Sequence, residues 1–220
     1  TGGMDPLARF RKMAQESENG AKALGRLEAR MTEDSLWDTA RAWLARTPIM
    51  GSSPGDDGDK EIVRNYVESH ISAQIKHGEE MASRMSEWGM GDPEAMKARF
   101  ASIAGGARDF LIPEGEIDRA RAGLLFIESY RDLPLLSWPR TLIDRMIELE
   151  EAMVKWRHSH ARMVERIIGR RIGTGGSSGV DYLDATTSYR VFTDLWSVRT
   201  ILIKTELRPK LINPEFYGFA

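Results

Sequence analysis

Eight residues frame this chain: Leu142, Met146, Leu149, Met153, Trp156, His160, Met163 and Ile167 recur in alternating steps of four and three. A helix brings such positions onto one side, because about 3.6 residues complete a turn. One helix from Pro139 to Arg171 would be about 50 Å long at 1.5 Å per residue. It is the organising element, and its stripe predicts a single buried seam with a histidine in it.

Helix formers at the same spacing dominate elsewhere, and strict apolar/polar alternation is almost absent, so the predicted class is an all-α helical bundle. The stretch from Met13 to Arg46 is helical with a break near Thr32, where a cap residue could start a second helix. Thr47 to Asp59 (TPIMGSSPGDDGD) is a breaker cluster and is expected as a surface connection. A long helix over Lys60 to Trp88, a short one after Asp92-Pro93, and an irregular ARDFLIPEGE beyond Gly105-Gly106 complete the first half. Their apolar stripes are thin, so residues 48–118 are expected to form a peripheral excursion on the main body. Helix Glu116 to Arg131 carries the densest apolar patch. A further amphipathic helix is expected over Leu183 to Ile203, followed by an extended tail from Thr205. The whole, 1–220, is expected to be one domain, with residues 139–203 at its core.

Composition excludes several classes. Thirty-one basic against 33 acidic side chains give a net charge of −2, so no global positive field recruits nucleic acid or an anionic membrane. The longest wholly apolar run, Leu124 to Ile127, is far short of the roughly 18 residues a spanning helix needs. A soluble protein with a small ligand is expected, cytoplasmic by default. Zero cysteines remove thiolate catalysis and sulfur-bound zinc, leaving nitrogen and oxygen as metal donors.

Among the four histidines, His160 lies on the seam and His158 on another face. An imidazole among methionine, tryptophan and isoleucine stays neutral and keeps a lone pair for a metal or haem iron. The alternative, a core histidine satisfied by one hydrogen bond, is commoner. His70 and His77, about 10 Å apart along one helix, are too distant for one ion and are expected on a solvated surface. Positions 67, 74, 155 and 157 hold Val, Gln, Lys and Arg, so the Glu-x-x-His pattern of carboxylate-bridged iron is missing. The loop GTGGSSG, Gly173 to Gly179, joins two amphipathic helices. It lacks the lysine of a phosphate loop, since Val180 stands there, and no strand precedes it. An amide-rich, hydroxyl-lined concavity for an amino-acid head group is what remains.

WRHSHARMVERIIGRRIGTGGSSGVDYL from Trp156 to Leu183, with RVFTDLWSVRT from Arg190 to Thr200, resembles the tryptophan 2,3-dioxygenase family. Weaker likeness extends through IESYRDLPLL, ELEEAMVKW and SLWDTARAWL, leaving out roughly Ile49 to Pro113. The resemblance implies an all-α haem b enzyme that inserts both atoms of O2 across the indole double bond of tryptophan, giving N-formylkynurenine. It makes His160 the proximal ligand of the haem iron and Trp156 and Arg157 the residues that orient it. Thr174 would hold the substrate's ammonium and carboxylate end, with Gly175, Gly176, Ser177 and Ser178 shaping the loop. Thr1, Gly2 and Arg9 match the haem-edge motif SGFQSxQFR, from which Gly3, Met4 and Asp5 depart. The family's distal histidine, in an HQxxELWFK-like stretch, and its substrate-gripping arginine have no match here. No catalytic residue is therefore assigned within this chain, and distal residues are expected N-terminal to Thr1. A homo-oligomer, tetramer or dimer, is also implied. Two alternatives accompany this reading: a related haem monooxygenase of an aromatic amino acid (tryptophan or a tyrosine derivative), and a non-catalytic haem-binding helical protein.

Overall fold

The structure, a computed structural model, describes residues 6–89, 92–171 and 179–218. Among them are nine α-helices and no strand: α1 Pro6–Ala14, α2 Glu18–Met31, α3 Leu36–Leu44, α4 Asp59–Glu87, α5 Pro93–Leu111, α6 Arg119–Ser129, α7 Ser137–Ile168, α8 Val180–Thr186 and α9 Thr193–Thr200. The all-α expectation holds. No helix of the described residues is long and apolar enough to cross a membrane.

The chain divides into two compact units, residues 1–36 with 148–191 and residues 37–147 with 192–220. The boundaries fall at the start of α3, inside α7 and between Val191 and Phe192 ahead of α9; only the first follows a polar run, Thr32 to Ser35.

Local chemistry explains the helix ends. Ser17 caps α2 by accepting the Gly20 N–H at 3.1 Å, and Asp118 caps α6 by accepting the Arg121 N–H at 3.1 Å. Thr32 closes α2 instead of opening the next helix, donating its hydroxyl to the Ala29 carbonyl at 2.7 Å. The helix begun by Asp92-Pro93 is not short: α5 continues through Gly105-Gly106 to Leu111. It stops before Pro113, where Glu114 and Gly115 take positive φ and reverse the chain.

In the second unit α6 is the central element. Ala122, Leu124, Leu125, Phe126 and Ile127 have no exposure at all, so the helix is enclosed on every side. Side chains of α3 (Leu44), α4 (Val63, Val67), α5 (Leu111), α7 (Ile143) and α9 (Leu195) join the same core. Gly123 lets α6 approach the end of α3, because a Cβ there would clash with the Leu44 carbonyl oxygen and lie 3.0 Å from Thr47 Oγ1.

The peripheral placement of residues 48–118 is corrected. Helix α4 sends Val63, Tyr66, Val67 and Ile71 into the main core. Its buried stripe continues through His70, Gln74, Gly78 and Ala82, which are polar or small and give the helix little hydropathy signal. The loop after α3 is likewise not all surface, since Ile49 and Met50 are buried. The tail is an anchor, not an extended strand. Tyr217 is buried, donates its hydroxyl to the Pro48 carbonyl at 2.8 Å and accepts the Gly51 N–H at 2.7 Å.

Candidate functional site

The sequence-identified residues of α7 lie on the part of the helix that belongs to the first unit. The seam is helical, as the spacing predicts, but it is not buried there. Met146 is 7% exposed, whereas Leu149 is 44%, Trp156 65%, Met163 52% and Ile167 73% exposed. Inward-facing positions are instead Glu150 and Ala161, at 1% and 0%. The seam therefore lacks a cover within this chain's described residues. Its spacing said where the stripe runs, not what fills it.

His160 sits within this stripe, half-buried. The Trp156 ring stacks on its imidazole with centroids 5.3 Å apart and planes 24° from parallel. Among the described residues neither ring nitrogen has a hydrogen-bond partner. The stacked imidazole is flanked by exposed Trp156 and Met163, so a ring nitrogen able to donate a lone pair stands beside apolar surface. His158, two residues away, is exposed and lines a shallow depression with Ser159, Arg162 and Arg166.

Arg157 reaches the segment that follows α8. Its guanidinium donates to the Tyr189 carbonyl at 2.8 Å and to the Thr186 carbonyl at 3.4 Å. Nearby, the carboxylate of Glu150 accepts the Val191 N–H. These contacts explain why the helix expected over Leu183 to Ile203 is two helices. Backbone groups at its middle are satisfied by side chains of α7, so the helical ladder ends at Thr186 and restarts at Thr193. Thr1, Gly2, Thr174, Gly175, Gly176, Ser177 and Ser178, and the side chain of Arg9, lie outside the described residues.

Three buried groups escaped the sequence reading. His70 is not on a solvated surface: it is fully buried, and Nε2–H donates to the Ile201 carbonyl at 2.8 Å. Burial pulls its pKa below the ordinary histidine value, against the raising effect of that carbonyl. Its Nδ1 has no partner among the described residues. Glu128 is buried with Oε1 unpartnered, and desolvation lifts its carboxyl above the usual range, opposed by Arg199. Asp194 joins Arg41 at 2.7 Å and Arg121 at 3.1 Å, while Arg41 also reaches Asp118 at 2.6 Å. This cluster ties together the starts of α6 and α9. SLWDTARAWL contains Arg41, but nothing in that segment names its distant carboxylates. An apolar groove of about 370 Å³ between α4 and α5, lined by Ile71, Ile75, Gly78 and Phe100, contains none of the sequence-identified residues.

Comparison with known proteins places these residues in a family context. The tryptophan 2,3-dioxygenase family profile matches residues 8–202. A "Tryptophan 2,3-dioxygenase-like protein" of Xanthomonas campestris pv. campestris is 43% identical over 207 residues, covering 89% of this chain and 75% of that protein. "Tryptophan 2,3-dioxygenase 2" of Ralstonia nicotianae is 44% identical, over 95% of this chain and 60% of its own length. The "Tryptophan 2,3-dioxygenase" of Sorangium cellulosum is 42% identical, over 94% of this chain and 53% of its own length. The chain thus spans between about half and three quarters of these relatives.

Proposed function

This chain belongs to the tryptophan 2,3-dioxygenase family, and from that premise we propose that it acts in a haem-dependent dioxygenase converting L-tryptophan and O2 to N-formylkynurenine. The observation that carries the proposal is His160, an imidazole stacked on Trp156 inside an exposed apolar stripe and without a hydrogen-bond partner among the described residues.

The residues present fit a haem. An unpartnered ring nitrogen is the donor that haem iron takes from a protein, and Trp156, Met163 and Leu149 offer the apolar surface that a porphyrin ring requires. His160 would hold the iron, and Trp156 fixes the plane of its ring by stacking. When bound, the haem supplies the activation of dioxygen. Everything else is positioning. Thr174, with Gly175, Gly176, Ser177 and Ser178 shaping the loop, would bind the ammonium and carboxylate of the amino acid and so orient the substrate. Arg157 and Glu150 hold the segment after α8 against α7 and so support the element that follows this loop. Thr1, Gly2 and Arg9, which match the family's haem-edge motif, would line the haem.

The reaction balances without a further reductant: one O2 adds to one tryptophan, and both oxygen atoms remain in the product. Turnover under 18O2 tests it. Two labelled atoms in the product support the proposal, and one labelled atom, the outcome for a monooxygenase, overturns it. The protein is expected as a homo-oligomer in the cytoplasm.

A further inference from the structure

Helix α4 carries two buried side chains, one turn apart, whose hydrogen-bonding needs cannot be met by each other. His70 is fully buried and Gln74 is 9% exposed. Among the described residues, His70 Nδ1 and Gln74 Oε1 have no hydrogen-bond partner. Positions four apart lie one above the other on a helix, and side chains lean towards its N-terminus, which directs Gln74 towards His70.

The neighbours fix the chemistry of both atoms. His70 Nε2 lies 2.8 Å from the Ile201 carbonyl oxygen. A carbonyl only accepts, so Nε2 carries the proton and Nδ1 of the neutral ring is a bare acceptor. Burial favours that neutral ring. Gln74 Oε1 is likewise an acceptor only. Two acceptors cannot bond to one another, and no movement of a hydrogen on either group relieves them.

This sets the pair apart from the other buried polar atoms of the second unit. Tyr66 and Ser129 also have unpartnered hydroxyl oxygens, but a hydroxyl both donates and accepts and turns to suit its surroundings. Glu128 Oε1 is relieved when the carboxyl takes up a proton, which burial favours. His70 and Gln74 need a donor from elsewhere, because a buried acceptor left unmet costs stability.

We propose that His70 Nδ1 and Gln74 Oε1 form an internal binding site for one water molecule, which donates one hydrogen to each. Water offers two donors from a single small atom, the complement of two acceptors on successive turns. A cation does not suit the site. The influences on His70 are burial and the Ile201 carbonyl, with no carboxylate among them, so an ion there would be buried without a counter-charge. Nor do the described residues contain a group of three or more His, Asp or Glu able to hold a metal. With the water in place the imidazole is bonded at both nitrogens, to Ile201 on one side and through the water to Gln74 on the other. The ring then joins α4 to the end of α9 in one fixed orientation. None of this depends on the haem reading.

A high-resolution crystal structure of the haem-loaded parent protein tests the site. One ordered water within roughly 2.7–3.2 Å of both atoms is expected. Density that reaches only one of them, no density, or a Gln74 amide turned over to donate directly to Nδ1 overturns the proposal. Gln74→Leu gives a second reading, because it takes one acceptor from the water and leaves the other. Its Tm at neutral pH is expected to fall by roughly 2–4 °C. A Tm that is unchanged or raised would mean that an unmet acceptor had been removed, and overturns the proposal. Should Gln74→Leu fail to fold, the parent's density alone decides between the two outcomes.

Discussion

His160 and His158 differ by two positions and by everything that matters for ligation. His160 has a ring stacked on Trp156 and no hydrogen-bond partner among the described residues, whereas His158 is exposed beside Arg162 and Arg166. His160→Ala should abolish the haem Soret band of the purified protein, and His158→Ala should leave it. Equal haem content in the two variants would refute the assignment. Two buried residues govern stability against pH with opposite signs. His70 has a folded pKa below its unfolded value near about 6.5, so its contribution is complete above that pH and is lost as pH falls. Glu128 is raised, so its favourable contribution is complete below the ordinary glutamate range and is lost as pH rises through the folded value. At neutral pH the buried Glu128 carboxylate, whose Oε1 has no partner among the described residues, is therefore a liability. Glu128→Gln should raise Tm at pH 7 by a few degrees, corresponding to on the order of 1 kcal/mol, and the gain should vanish near pH 4. A gain of the same size at both pH values would show that the charge is not its origin. His70→Gln should flatten the decline in Tm between pH 7 and 5, and an unchanged slope would acquit His70.

Among the elements, two glycines in helices separate packing from propensity. Gly123 in α6 has the Leu44 carbonyl where a side chain would begin, and a backbone group cannot step aside. Gly123→Ala should cost about 1–3 kcal/mol, seen as a lower denaturation midpoint. Gly105 in α5 is exposed with nothing within 4 Å of a Cβ. Gly105→Ala should stabilise by roughly 0.5–1 kcal/mol. Destabilisation by both, or by neither, would contradict the role assigned to the α3/α6 approach. The same contrast shows what the sequence could reveal. The period of α7 is written in its own residues, because a helix needs only neighbours three and four apart, and His160 was legible on that stripe. The core role of α4 was not, because its stripe passes through His70, Gln74, Gly78 and Ala82, whose burial depends on distant partners such as the Ile201 carbonyl. Nor was the gap between α8 and α9, made by Arg157 and Glu150 from more than 25 residues upstream. Arg157 was found by resemblance, but its carbonyl partners only by structure.

At the scale of the whole molecule, the open seam of α7 is the feature that demands a partner. Exposed apolar residues scattered singly need no explanation, but Trp156, Met163 and Ile167 lie on one helical face, and contiguous apolar surface of this kind marks an interaction site. A haem ligated by His160 would cover the stripe around Trp156. Ile167 stands seven residues further on, about 10 Å along the axis, and is the more exposed of the two at 73% against 65%. The proposed homo-oligomer would cover this end with a second copy of the chain, burying the same stripe on every subunit. Ile167→Glu should then reduce the mass in solution, measured by light scattering after size exclusion, while the Soret band persists. Trp156→Glu should do the reverse, losing haem first. A parent protein with the mass of one copy would overturn the oligomer, and an Ile167→Glu variant that keeps both assembly and haem would show that this end of the seam is left to water.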